Sequence, residues 1–195
     1  MTSRNSIRIF SCDPALTNFG YSLLEYNLTT GHTTVIKSGT ITGKSLVKSQ
    51  VALQKEFEKR HIVIWELERL LQSMIIEFKP DYVVSESAFS HRFVQVYAAL
   101  MLVIQAIRTA TMRTLGKDIH LIAPRESKKA VSHTGAAEKV TVQHAIFNNP
   151  NVTINETKTN SIADMTEHAY DSIAAGLAFI QNYLPTLMAS EKIMR

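Results

Sequence analysis

The chain has 195 residues, enough for one hydrophobic core and few for two, so a single domain spanning residues 1–195 is expected. With 45% hydrophobic and 19% charged residues the composition is globular, which excludes an extended disordered chain, and the one cysteine, Cys12, excludes both an internal disulfide framework and a cysteine-based zinc knuckle. The formal charge of +4 is unevenly placed: Ser87 to Val140 carries eight basic residues against three acids, a local +5, and the remainder sums to −1. A basic stretch of this size suits a polyanion such as nucleic acid, although solvated surface gives the same signal.

No secretory leader pattern opens the sequence, and no run of about 18 apolar residues reads as a membrane span. A reducing cytoplasm is the expected compartment, with no membrane partner. Three extended segments come first, Ile7 to Cys12, Gly20 to Tyr26 and Thr33 to Ile41, separated by Asp13-Pro14 and a Thr30-Gly31 turn. They predict an antiparallel meander. Leu67, Leu70, Leu71, Met74, Ile75 and Phe78 then recur at helical spacing until Pro80; the helix starts as early as Val47, with a break near Arg60.

Asp81 to Ser85 reads as a short apolar strand ending on Glu86. Arg92 to Met112 is helical and apolar nearly all round, which implies burial on two sides, within one core or against a second subunit. A fifth strand, Ile119 to Ala123, precedes helices over Arg125 to Val131 and Ala136 to Phe147. Asn148 to Thr159 reads as a loop, and Asp164 to Tyr183 as a closing amphipathic helix. The expectation is an α/β domain with a five-stranded mixed sheet, three antiparallel strands first, flanked by helices.

Gly43-Lys44-Ser45 imitates the end of a phosphate-binding loop, but Ser38 stands where the first glycine of that motif belongs, and no strand is expected to feed a helix there. The acids are more informative. Asp13 and Glu86 end apolar strands, and Asp171 interrupts the apolar side of the last helix. Carboxylates are costly to bury unless paired or holding a metal, and hard oxygen donors without cysteine favour Mg²⁺ or Mn²⁺. His168, three residues before Asp171, shares its helix face and suits a ligand or proton shuttle; Glu167 and Asp164 compete for that role. Each acid alone also fits a cap or an ion-pair partner.

Five separated motifs resemble RuvC-type Holliday junction resolvases of the RNase H-like superfamily. They are C-D-P-A-L-T-N-F-G-Y from Cys12, with Ala15 where the family pattern has glycine, and D-Y-V-V-S-E-S-A-F from Asp81 to Phe89. A-A-E-K-V-T-V-Q-H-A-I from Ala136, Lys128 eleven residues before Lys139, and E-H-A-Y-D-S-I-A-A-G-L-A from Glu167 complete the set. The resemblance implies an RNase H-like fold, a homodimer, and Mg²⁺-dependent nicking of four-way DNA junctions on opposed strands, with two ions per site and Mn²⁺ as a substitute. Asp13, Glu86, His168 and Asp171 would hold the metal. Lys139 would join them in catalysis, Lys128, Lys129, Arg125 and Arg92 would hold DNA, and Phe89 would stack at the opened crossover or else pack in the core. Such a protein would work in a bacterial or virus-infected host cytoplasm. Cleavage of flaps or forks, and junction binding without cleavage, are the competing functions.

Overall fold

The computed structural model describes residues 5–89, 93–132, 135, 139–156 and 165–193. Strand β1 (Ser6–Asp13) pairs antiparallel with β2 (Asn18–Asn27), which pairs antiparallel with β3 (Thr33–Thr42). This is the expected meander. Thr42 then passes directly into a short helix α1 (Gly43–Lys48), followed by a 3₁₀ turn at Leu53–Lys55 and the long helix α2 (Lys59–Phe78). A strand therefore does feed a helix at Gly43, contrary to expectation. No loop separates the two, so there is no phosphate cradle between them.

Lys79, left-handed at φ 49°, ends α2 and turns the chain into β4 (Tyr82–Glu86). Helix α3 (Val94–Leu115) stops at Gly116, whose φ of 64° suits glycine, and β5 (His120–Ile122) leads into α4 (Pro124–Ser132). Helix α5 (Lys139–Phe147), strand β6 (Val152–Ile154), helix α6 (Glu167–Asn182) and helix α7 (Leu184–Ile193) complete the order.

The sheet has six strands in the order β5-β4-β1-β2-β3-β6, not five. The sixth, β6, lies inside the segment expected to be a loop. It is only three residues long, and its hydrogen bonds come from β3, through Thr33↔Val152 and Val35↔Ile154. No local periodicity announces so short an edge strand. Helix α7 likewise extends the helical C-terminal region beyond the expected end at Tyr183.

Alternation along β1 builds two cores. Ile9 faces one side with Leu24, Val84 and Ile122, where α4, α5 and α6 pack. Phe10 and Cys12 face the other with Leu23 and Val83, where α2 and α3 pack. A central strand buried on both faces needs apolar residues at successive positions, as Ile9 to Cys12 largely supplies. The buried Ser11 is satisfied by a 2.7 Å hydrogen bond between its hydroxyl and that of Ser22.

Within the single chain, helix α3 is buried on one side, so of the two expected arrangements burial on both sides inside one core does not occur. Its C-terminal half is sealed by Val103, Ile104, Ala106, Ile107, Ala110 and Thr111, whereas Val94, Val96, Tyr97, Met101 and Leu102 are exposed. By length and composition it is also the one described helix that could cross a membrane, a feature that charge and Gln positions hid in the sequence. In this fold it lies against α2, tied to it by Arg113 to Glu68 at 2.6 Å, while Arg108 pairs at 2.7 Å with Asp118 in the connection to β5.

Candidate active site

β1 and β4 run parallel with Cys12 opposite Ser85, so Asp13 and Glu86 end adjacent strands at the same edge of the sheet. Side chains two apart share a face, which places Asp13 with Ile9 and Ser11, and Glu86 with Val84, on the α6 side. Strand parity thus points both acids at the helix that carries His168 and Asp171.

Two glycines let that helix come close. A Cβ on Gly20, directly opposite Asp13, would fall 2.1 Å from the backbone oxygen of His168. A Cβ on Gly176 would fall 2.3 Å from Leu24 Cδ1 and 2.8 Å from Ser11 Oγ. Helix α6 is therefore seated on β1 and β2 by the absence of two side chains, and its first turn arrives over the end of β1. The G-Y pair was visible in the sequence; its purpose was not.

His168 Nδ1 lies 2.7 Å from Asp13 Oδ2, and His168 Nε2 lies 3.7 Å from Glu167 Oε1. The hydrogen bond to Asp13 raises the imidazole pKa, reinforced by the charges of Asp13, Glu167 and Asp171 against a smaller opposing effect of burial. Burial first, and then the charge of Asp13, lifts the Glu86 carboxyl from 4.5 to about 8; Asp171 adds to the rise, while Ser127 and Lys128 oppose it. Ser127 is close enough to favour the ionised form, yet its buried Oγ makes no hydrogen bond of acceptable geometry. Cys12, next in line, has its thiol pushed well up by burial and by Asp13, which makes it an inert core residue.

The structure thus brings Asp13, Glu86, His168 and Asp171 into one electrostatic cluster, with Lys128 from α4 acting on it. Arg125 and Lys129 are exposed on the same helix, and Phe89 is 53% exposed just beyond β4, outside the core. Lys139 opens α5, but its side chain, like Arg92 and Asp164, lies outside the described residues. Ser127 and the two glycines are the participants that sequence reasoning missed.

Among the described residues no three His, Cys, Asp or Glu groups close into a metal-holding triad. The donor chemistry nevertheless fits a hard cation. Glu86, half-buried, faces two further carboxylates whose charges raise its proton affinity, and a divalent ion would offset that repulsion.

A mixed sheet with an antiparallel meander, parallel strands beyond it, and acids gathered at the ends of its central strands under a C-terminal helix defines an RNase H-like nuclease class. Residues 9–169 match the family described as crossover junction endodeoxyribonuclease RuvC, and the chain belongs to that family. Solved structures agree at the level of fold. Thermus thermophilus RuvC is 15% identical with a TM-score of 0.65, covering 88% of this chain and 92% of that one. The same protein in complex with Holliday junction substrate matches at 14% identity and TM-score 0.67, with the same coverage. The yeast mitochondrial Holliday junction resolvase matches at 10% identity and TM-score 0.62, covering 89% of this chain and 78% of that one. No curated protein matches this chain.

Proposed function

We infer that the chain is a structure-selective endodeoxyribonuclease, one nuclease domain per subunit, that resolves four-way DNA junctions by paired, metal-dependent nicks in opposed strands. The observation that carries this reading is the convergence of Asp13, Glu86, His168 and Asp171 at one sheet edge, with Lys128 acting on Glu86. Family membership and the likeness to a resolvase solved with junction DNA support it.

Asp13, Glu86, Asp171 and His168 would hold Mg²⁺, two ions per site, with Mn²⁺ able to replace it. When bound, such ions activate water and stabilise charge on the leaving oxygen of a phosphodiester. The chain's own residues do the rest. Asp13 fixes the His168 ring through Nδ1, and Glu167 approaches its other nitrogen, so the imidazole is held in one orientation. Lys128, with Lys139, supplies positive charge for the scissile phosphate. Arg125, Lys129 and Arg92 hold the DNA backbone, and Phe89 stacks on bases at the crossover.

A two-fold junction requires two sites, and α3 offers the means. Val94, Tyr97 and Met101, at spacings of three and four, form an exposed stripe with Leu102 beside it, suited to packing against the same stripe of a second copy. The test incubates purified protein and Mg²⁺ with a four-way junction, a flap, a fork and linear duplex, and maps the cuts. Symmetric paired nicks beside the crossover are expected. Preferential cutting of flaps or forks would replace the junction with another branched substrate, and tight junction binding without any cutting would leave a binding protein only.

A further inference from the structure

The basic segment 87–140 leaves a remainder of −1, but that remainder is itself uneven: between Gly43 and His61 stand Lys44, Lys48, Lys55, Lys59 and Arg60 against Glu56 and Glu58. The fold gathers most of this charge. Lys44, Lys48, Lys59 and Arg60 line an open groove of about 710 Å³ between the start of β2, α1 and the start of α2, with Thr17 and Asn18 on its near wall and no acid lining it. Among the described residues Lys44, Lys48 and Lys59 have no carboxylate partner; Arg60 alone pairs, with Glu58 at 3.4 Å. Leu16, Val47 and Val63 give the groove an apolar floor.

Its position relative to the carboxylates is set by strand register. Asp13 pairs with Gly20 and Gly20 with Thr40, so the end of β3 lies two strands from Asp13, roughly 10 Å at the usual strand spacing. The turn that leaves Asp13 contributes Leu16 and Thr17 to the groove and is pinned there where Gly43 N donates to the Thr17 carbonyl at 2.9 Å. On the opposite side, Glu86 pairs with Ile122, and β5 leads into α4 with Arg125, Lys128 and Lys129. The acidic cluster therefore sits between two cationic flanks at similar lateral distances.

We propose that the Lys44–Lys48–Lys59–Arg60 groove binds the phosphate backbone of a second duplex arm of the branched substrate, while the α4 flank holds the arm on the other side of the cut. This rests on the junction-cleaving reading above and adds where the second arm lies. Lysines act as point charges on phosphates and do not read base edges, so the contact positions the arm without sequence preference. An apolar floor suits the sugar faces of a backbone lying along it.

The test is binding in chelator of a labelled four-way junction by the wild type, by a Lys44→Gln/Lys48→Gln/Lys59→Gln variant, and by a Lys79→Gln/Lys117→Gln control. The control lysines precede β4 and β5, at the opposite end of the sheet. The triple variant is expected to bind about tenfold or more weakly near 0.1 M salt, and its log K against log [salt] slope should shrink by about 1 per lysine. Its melting temperature should be unchanged, because all three side chains are exposed. At saturating junction its cleavage rate should stay near wild type, the loss appearing in KM. A triple variant with wild-type affinity and salt slope, or with losses per charge no greater than the control, overturns the groove alone. A wild type that does not bind the junction overturns the functional reading instead.

Discussion

Helices α6 and α3 are both long and apolar, and the fold uses them in opposite ways. α6 buries eleven of its sixteen residues, four of them Ala and one Gly, and lies flush on the sheet; α3 buries six of twenty-two and leaves larger side chains such as Tyr97, Met101 and Leu102 in the open. Small residues permit close approach of helix and strands, which carries His168 and Asp171 to the acids of β1 and β4. Large exposed apolar residues permit nothing inside the subunit and suit a second one. Apolar content alone therefore distinguishes neither role; side-chain volume and the register against the sheet do.

The largest expected effect falls on the α6 side. Asp13→Asn should reduce junction cleavage by about a thousandfold or more while leaving binding in chelator nearly intact, since it removes a donor but little volume. A gel-based cleavage assay with matched binding measurements checks this, and undiminished Mg²⁺-dependent cutting would sink the site. Gly20→Ala tests the seating of α6 without touching a charge. The new methyl would meet the His168 carbonyl carbon at 2.5 Å, so the helix must shift. Expected are a stability loss of roughly 1–3 kcal/mol and a drop in cleavage of tenfold or more that exceeds any loss of DNA binding.

On the α3 side, Tyr97→Glu with Leu102→Glu should convert a dimer to monomers in sedimentation analysis and uncouple the paired nicks, with the melting transition of the subunit retained. Monomers in the wild type at working concentration would remove α3 from the account.

The acidic cluster also sets a pH signature. A carboxyl whose pKa is higher in the folded than in the unfolded chain holds an extra proton natively between the two values, so stability is greatest below the lower one and falls as pH rises. For Glu86 the window runs from 4.5 to about 8. Metal-free protein should thus melt at progressively lower temperature across that range, Glu86→Gln should flatten the trend, and Mg²⁺ should raise the melting temperature more at pH 8 than at pH 5. Thermal scans in chelator and in Mg²⁺ check this. The smallest effect is expected for Phe89→Ala, a few-fold loss of junction cleavage with linear-duplex binding unchanged, because one stacked ring contributes about 1–3 kcal/mol at most.

Much of the site was readable before any fold was known. Acids at the ends of apolar runs are anomalous by composition alone, and Asp13, Glu86 and Asp171 were singled out on that ground. The choice among His168, Glu167 and Asp164 was not readable, because helical spacing places several of them on one side. The 2.7 Å contact to Asp13 places His168 inside the cluster with Glu167 3.7 Å from its other nitrogen, while Asp164 lies outside the described residues. Ser127 left no sequence signal, since its relevance comes only from α4 packing on α6. The edge strand β6 was hidden for a related reason: three residues are held there by hydrogen bonds from β3.

The amino-acid sequence by itself determined the meander, the alternation that buries β1 on both faces, the candidate acids and the family. These follow from local periodicity and from residues whose burial is costly without a partner. The tertiary structure alone decided which acids meet, why Gly20 and Gly176 are glycines, that α3 keeps an open apolar stripe, and that Lys44, Lys48 and Lys59 line one groove near the acid-bearing edge of the sheet. Each of those depends on contacts between segments far apart in the chain, where strand register and helix approach distance, not residue type, set what touches what.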